Sequence, residues 1–178
     1  MKEENIINKQ SYFEINFRKK LDSDHTGKKH RFITWLFFLT GSIFFSFALG
    51  IRHFWFQTSA WDLGIFDQAI YLISQGLEPK SSILGFHILG DHGALVLYPL
   101  GWLYSLFPSI LFLFIIQSTA LASAVFPLAK LARINKLSNL SLITSCSVLL
   151  LYPIVFNVAI FDFHPEAFAF PLVLEALI

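Results

Sequence analysis

Long apolar runs separated by short charged stretches set the plan of this chain. From Phe32 to Ile51 twenty residues pass without a charge, enough for a helix to cross a hydrocarbon core of ~30 Å. Lys28, Lys29 and Arg31 precede the run and Arg52 follows it. The stretch is longer than the apolar part of a cleaved leader, and no Ala-x-Ala site follows, so it reads as an uncleaved anchor. A second run, Ala94 to Ala129, holds thirty-six uncharged residues and includes Pro99, Pro108 and Pro127. It is too long for one helical crossing and short for two. A third extends from about Asn139 to Ala159, and a fourth begins near Ala167 and reaches Ile178 unfinished.

Charge resolves the ambiguity of the second run. Eight Lys and Arg lie before the first span, two at Arg52 and Lys80, and three in the cluster Lys130, Arg133 and Lys136. The positive-inside rule puts the N-terminus and that cluster in the cytoplasm. One crossing then has to separate the outer side from the cluster. We place it at 109–129, with Pro108 near its start, where proline is tolerated. Residues 94–107 become a helix on or dipping into the outer membrane face; two short spans across 94–129 are the alternative.

The expectation is an all-α multi-span membrane bundle of the cell membrane. It has a weakly structured cytoplasmic tail over 1–31 and a transmembrane domain over 32–178. Crossings fall at about 32–51, 109–129 and 139–159, with a fourth starting near 167. A first outer loop with juxtamembrane helices covers 52–108, a cytoplasmic loop 130–138, and a second outer loop 160–166.

Composition agrees. Hydrophobic residues make up 55% of the chain and charged residues 14%, against about a quarter charged in soluble domains. Twenty-one phenylalanines suit a surface that meets lipid. The net charge of +1 gives no argument for nucleic acid, because the basic residues follow the membrane topology. The single cysteine, Cys146, lies in an apolar run, which excludes an intramolecular disulfide and favours a packing role.

This topology sends three polar groups to the outer side. The first is Trp61-Asp62-Leu63-Gly64-Ile65-Phe66-Asp67-Gln68. Asp62 reads either as the N-cap of an amphipathic helix from Leu63 to Gln75, with Gly76 at C′ and Asp67 on the wet face, or as a carboxylate for general-base or metal chemistry at the membrane surface. The second is Gly85-Phe86-His87-Ile88-Leu89-Gly90-Asp91-His92-Gly93. His92 sits just before the outer-face helix, where an anion such as phosphate is favoured; a loop histidine bonded to its neighbours is the plainer reading. The third is Asp162, His164 and Glu166. Alternation in an extended segment puts the three on one side, and Pro165 disfavours helix at His164. Such O/N ligands would hold a divalent cation, Mg²⁺ or Mn²⁺ by their oxygen content; a wet interfacial turn is the alternative.

Four segments, Trp-Asp-Leu-Gly-Ile-Phe-Asp-Gln (61–68), Gly-Asp-His-Gly (90–93), Tyr-Pro-Leu (98–100) and Phe-Asp-Phe-His-Pro-Glu (161–166), carry a resemblance. In order and spacing they resemble the predicted bacterial membrane proteins of domain-of-unknown-function family 2079, over roughly Ile33 to the end. Members are longer, so the resemblance implies an N-terminal fragment with a separately encoded C-terminal part as partner. That family is in turn distantly similar to the type C glycosyltransferase (GT-C) superfamily. This second resemblance implies outer-face transfer of sugar from a polyprenyl-phosphate-linked donor. Asp62 would be the catalytic base, His92 the contact to the lipid phosphate, and Asp162, His164 and Glu166 the metal ligands. The first-loop motif departs from the Asp-Glu pair of many members. Competing readings are a transporter, disfavoured because Glu175 is almost the sole ionisable residue within the spans, and a non-catalytic membrane fragment.

Overall fold

The computed structural model describes the backbone of residues 2–178 and the side chains of residues 27–178. The tail expected over 1–31 therefore lies, up to Thr26, outside the described side chains. Helix α1 (Lys2–Phe54) carries the first candidate crossing, Gly27–Phe54. A π-helical turn at Ala60–Gly64 leads into α2 (Ile65–Ser74), and a loop carries the chain to α3 (Leu97–Tyr104). α4 (Ile110–Ala122) and α5 (Val125–Ile134) form the second candidate crossing, Ile110–Ile134. α6 (Asn139–Leu151) and α7 (Pro153–Ile160) follow, and α8 (Ala169–Ala176) ends the chain.

Local chemistry accounts for the boundaries. Ser109 and Ser138 cap α4 and α6, their hydroxyls accepting from the N–H groups of Leu111 and Ser141. Three helices end in the same paired closure. Gln57 donates to the Arg52 carbonyl and Phe56 to that of His53; Leu77 and Gly76 repeat the pattern on Leu72 and Ile73, and Leu137 and Lys136 on Ala132 and Arg133. The left-handed residue in each is Phe56, Gly76 or Lys136, with φ of 56°, 69° and 53°. Only Gly76 adopts that conformation without a Cβ penalty. Pro127, which lacks an N–H, accounts for the break between α4 and α5.

The third apolar run, expected as one span over 139–159, is bent by 54° between α6 and α7. Tyr152 holds φ −58° and ψ 128° ahead of Pro153, because the proline ring excludes helical geometry from its predecessor. At eight residues, α3 is about 12 Å long and too short to cross.

The helices pack as a bundle with α1 against all of its neighbours. α1 runs antiparallel to α4 and α5: the His53 ring lies 5.6 Å from Phe114 and Phe38 5.1 Å from Phe126. It runs parallel to α6 and α7, with Phe45 at 6.2 Å from Phe156 and Gly41 against Leu150 and Ala122. Two buried clusters result. One, around Leu49, Phe66, Leu97, Leu113, Phe114 and Phe163, seats α2 and α3 on the loop end of the bundle. The other joins Phe45, Leu121, Val125, Leu142, Cys146 and Ala159 nearer the basic end. Phe32, Ile43 and Phe47 of α1 are exposed, as helix faces turned to lipid should be.

Candidate functional site

The polar residues of the loop end are placed by two side chains that hold backbone. The buried Gln117 of α4 donates through Nε2 to the carbonyls of Val158 and Asp162, both at 3.2 Å, and accepts from the His164 N–H at 2.6 Å. The Arg52 guanidinium at the end of α1 donates to the carbonyls of Ile160 and Gln57 and lies 5.7 Å from the centre of the Phe161 ring. Residues 158–164 are thereby fixed against both α1 and α4.

On that base the segment between α1 and α2 docks through Ser59. Its N–H donates to Asp162 Oδ2 at 2.8 Å, and its hydroxyl donates to Asp62 Oδ2 at 3.1 Å while accepting from the Asp62 N–H at 3.2 Å. The N-cap is thus Ser59 and not Asp62, which sits inside the π-helical turn, a geometry frequent at functional sites. Asp62 is freed to face the segment between α7 and α8: its Oδ1 lies 3.7 Å from His164 Nε2. The Nδ1 of His164 lies 3.0 Å from the Asp162 carbonyl. A carbonyl can only accept, so Nδ1 carries the hydrogen and Nε2 is the atom turned to the carboxylate.

His92 completes the group. Its Nδ1 is 2.8 Å from Asp91 Oδ2, and its Nε2 is 3.7 Å from Glu166 Oε1. The Phe66 ring stands between the two histidines, 5.1 Å from His92 and 6.1 Å from His164. His92 precedes the first turn of α3 by several residues, so the helix N-terminus expected beside it lies further along the chain. The loop before it is held by Gln68, whose side chain exchanges hydrogen bonds with the Ser82 N–H and hydroxyl, each at 2.9 Å.

The alternation expected for Asp162, His164 and Glu166 is broken. His164 is extended, but Pro165–Phe168 forms a 3₁₀ turn, which carries Glu166 off the strand-like period toward His92. Asp162 is buried, with Oδ2 on Ser59 and Oδ1 without a partner. Among the described residues no three of His, Cys, Asp and Glu come together as a metal-binding group. The three side chains face different partners: Asp162 faces Ser59, His164 faces Asp62 and Glu166 faces His92. Asp67, expected on a wet face, is half-buried and accepts from the Tyr104 hydroxyl at 2.7 Å. Burial, and then the Asp67 hydrogen bond and charge, raise the Tyr104 phenol well above its ordinary pKa.

Two clefts flank Glu166. One, of about 330 Å³, is bordered by Asn157, Val158, Phe161 and His164. The other, of about 450 Å³, opens between Gly93–Val96 and Pro165, Phe168 and Leu172.

Of the site residues, Asp62, His92, Asp162, His164 and Glu166 were all legible as motif members. Ser59, Gln117, Arg52 and Phe66 were not singled out. Gln117 had a signal, being an amide in the middle of an uncharged run; Ser59 had none.

A polar cluster built from two loops at one end of an all-α bundle with candidate crossing helices defines an integral membrane protein with a loop-borne site. The family model of the predicted membrane proteins DUF2079 matches residues 52–178, and the chain belongs to that family. The match starts at Arg52, after the first span, and not at Ile33. No curated protein and no solved structure matches the chain.

Proposed function

We propose that the protein is a membrane glycosyltransferase that takes sugar from a polyprenyl-phosphate carrier at the outer face of the cell membrane, with its N-terminus in the cytoplasm. One observation carries this reading: Asp62 and His164, far apart in sequence, approach to 3.7 Å beside the His92–Glu166 pair at 3.7 Å. The orientation rests on Lys130, Arg133 and Lys136 lying at the opposite end of the second crossing from the cluster.

In this reading the acceptor hydroxyl enters beside Asp62, which removes its proton as the hydroxyl oxygen bonds to the anomeric carbon of the sugar. The bond from that carbon to the phosphate oxygen breaks, and its electron pair leaves with the lipid phosphate. The Ser59 hydroxyl, which donates to Asp62 Oδ2, orients the carboxylate. His92, its ring fixed by Asp91, stabilises the departing phosphate. The cleft lined by Leu95, Val96, Phe168 and Leu172 is apolar on the side that the carrier chain would need. No step is assigned to a metal ion, since Asp162, His164 and Glu166 form no common ligand set.

The test uses the full chain in vesicles with a short-chain polyprenyl-phosphate hexose, reading released polyprenyl phosphate. Asp62→Asn is expected to lower release by about 10²–10⁴-fold, with membrane insertion unchanged. Undiminished release in that variant removes Asp62 from the mechanism. Failure of the parent chain to turn over would favour the transporter or non-catalytic readings.

A further inference from the structure

The opposite end of the bundle holds a cavity with polar lining. It has a volume of about 240 Å³ and is lined by His30, Arg31, Thr34 and Trp35 of α1 and by Phe126, Ala129 and Arg133 of α5. His30 is 2% exposed, and neither of its ring nitrogens has a hydrogen-bond partner. A buried imidazole without partners is unfavourable, so the cavity presents a polar contact that the described residues leave unmet. Thr34 does not provide it, because its hydroxyl donates to the His30 carbonyl at 2.7 Å.

The charge at the cavity has one sign. Arg31 and Arg133 flank it from two different helices, and among the described residues no carboxylate pairs with either. The Glu175 carboxylate, which comes to this end on α8, is engaged by Lys130. Below the cations the wall turns apolar. Trp35 and Phe126 meet edge to face at 5.1 Å, and Phe38 lies 5.1 Å from Phe126 and 5.5 Å from Trp35. An anionic group held at His30, Arg31 and Arg133 would thus have a lipid-facing aromatic surface directly beneath it, toward the membrane interior.

We propose that this cavity binds the phosphate headgroup of an anionic phospholipid, with one acyl chain lying along Trp35, Phe38 and Phe126. Two guanidiniums give bidentate contacts to phosphate oxygens, His30 donates a further hydrogen bond, and basic pockets between membrane helices favour such headgroups. The inference is independent of the reaction proposed for the loop end.

The experiment measures binding to the full chain in detergent by native mass spectrometry and thermal shift, with phosphatidylglycerol, phosphatidylcholine of matched chains, and inorganic phosphate as probes. Phosphatidylglycerol is expected to bind the parent chain and stabilise it, at concentrations where the other two do not. Arg133→Gln should weaken that binding by about fivefold, the effect of one basic residue at a membrane surface. His30→Gln, which keeps a donor, should weaken it less. Lys136→Gln, a change in the same basic segment outside the cavity, should leave it within about twofold. Equal losses in Arg133→Gln and Lys136→Gln would overturn the site in favour of diffuse surface attraction. Binding of inorganic phosphate as tight as that of the lipid would overturn the headgroup assignment in favour of a free-anion site. No preference over phosphatidylcholine would overturn it altogether.

Discussion

The two ends of the bundle treat buried polarity in opposite ways. At the loop end, Gln117 spends both ends of its amide on backbone and Asp162 takes the Ser59 N–H, so two loops remote in sequence become one surface. At the basic end, the packing is of small and apolar residues such as Ala129, Ala132, Leu142 and Cys146, and the buried His30 is left unpartnered. The loop end is specified by directed hydrogen bonds, the basic end by shape. A substitution should therefore be severe where it orphans backbone groups and mild where a side chain has room to shift.

Three substitutions rank this contrast. Gln117→Leu leaves the Val158 and Asp162 carbonyls and the His164 N–H without their partner. We expect a loss of about 3 kcal/mol, read as a lowered unfolding midpoint in detergent, together with loss of protection of the His164 amide in hydrogen exchange. A loss below about 1 kcal/mol would show that water reaches these groups and that the loop end is not specified in this way. Next comes Gly101→Ala, between α2 and α3. A Cβ there would meet Ile73 Cγ2 at 2.4 Å and the Ile70 carbonyl oxygen at 3.2 Å, so the helices must part at a cost of about 2 kcal/mol, again read from the midpoint. Gly41→Ala probes the other half of the bundle. Its Cβ would meet Leu150 Cδ1 at 3.0 Å, the tip of a flexible side chain, and we expect a change of less than about 1 kcal/mol. An effect larger than that of Gly101→Ala would reverse the ranking of the two ends.

What the chain disclosed in advance follows the same division. Helices apolar and long enough to cross were legible because the bilayer imposes a length rule on uncharged runs. The site motifs were legible as clusters of polar residues in an apolar chain. Their mutual geometry was not, because it depends on partners from other elements. Asp62 does not cap its helix because Ser59 does; Asp67 is not on a wet face because Tyr104 reaches it. Pro165 excludes helix from His164 and also starts the turn that carries Glu166 away, the second effect being visible only in the fold. Pro153, in plain view within the third run, gave the signal for the bend after Leu151.

The ties made by Ser59 and Arg52 also set an order of events during synthesis. Ser59 finds its acceptor 103 residues later, at Asp162, and Arg52 its carbonyl 108 residues later, at Ile160. At about 5–20 residues per second, the segment around Ser59 is made and waits on the order of ten seconds before the segment that anchors it is made. A nascent chain halted before Asp162 would carry α1 to α7 with the segment around Ser59 unanchored.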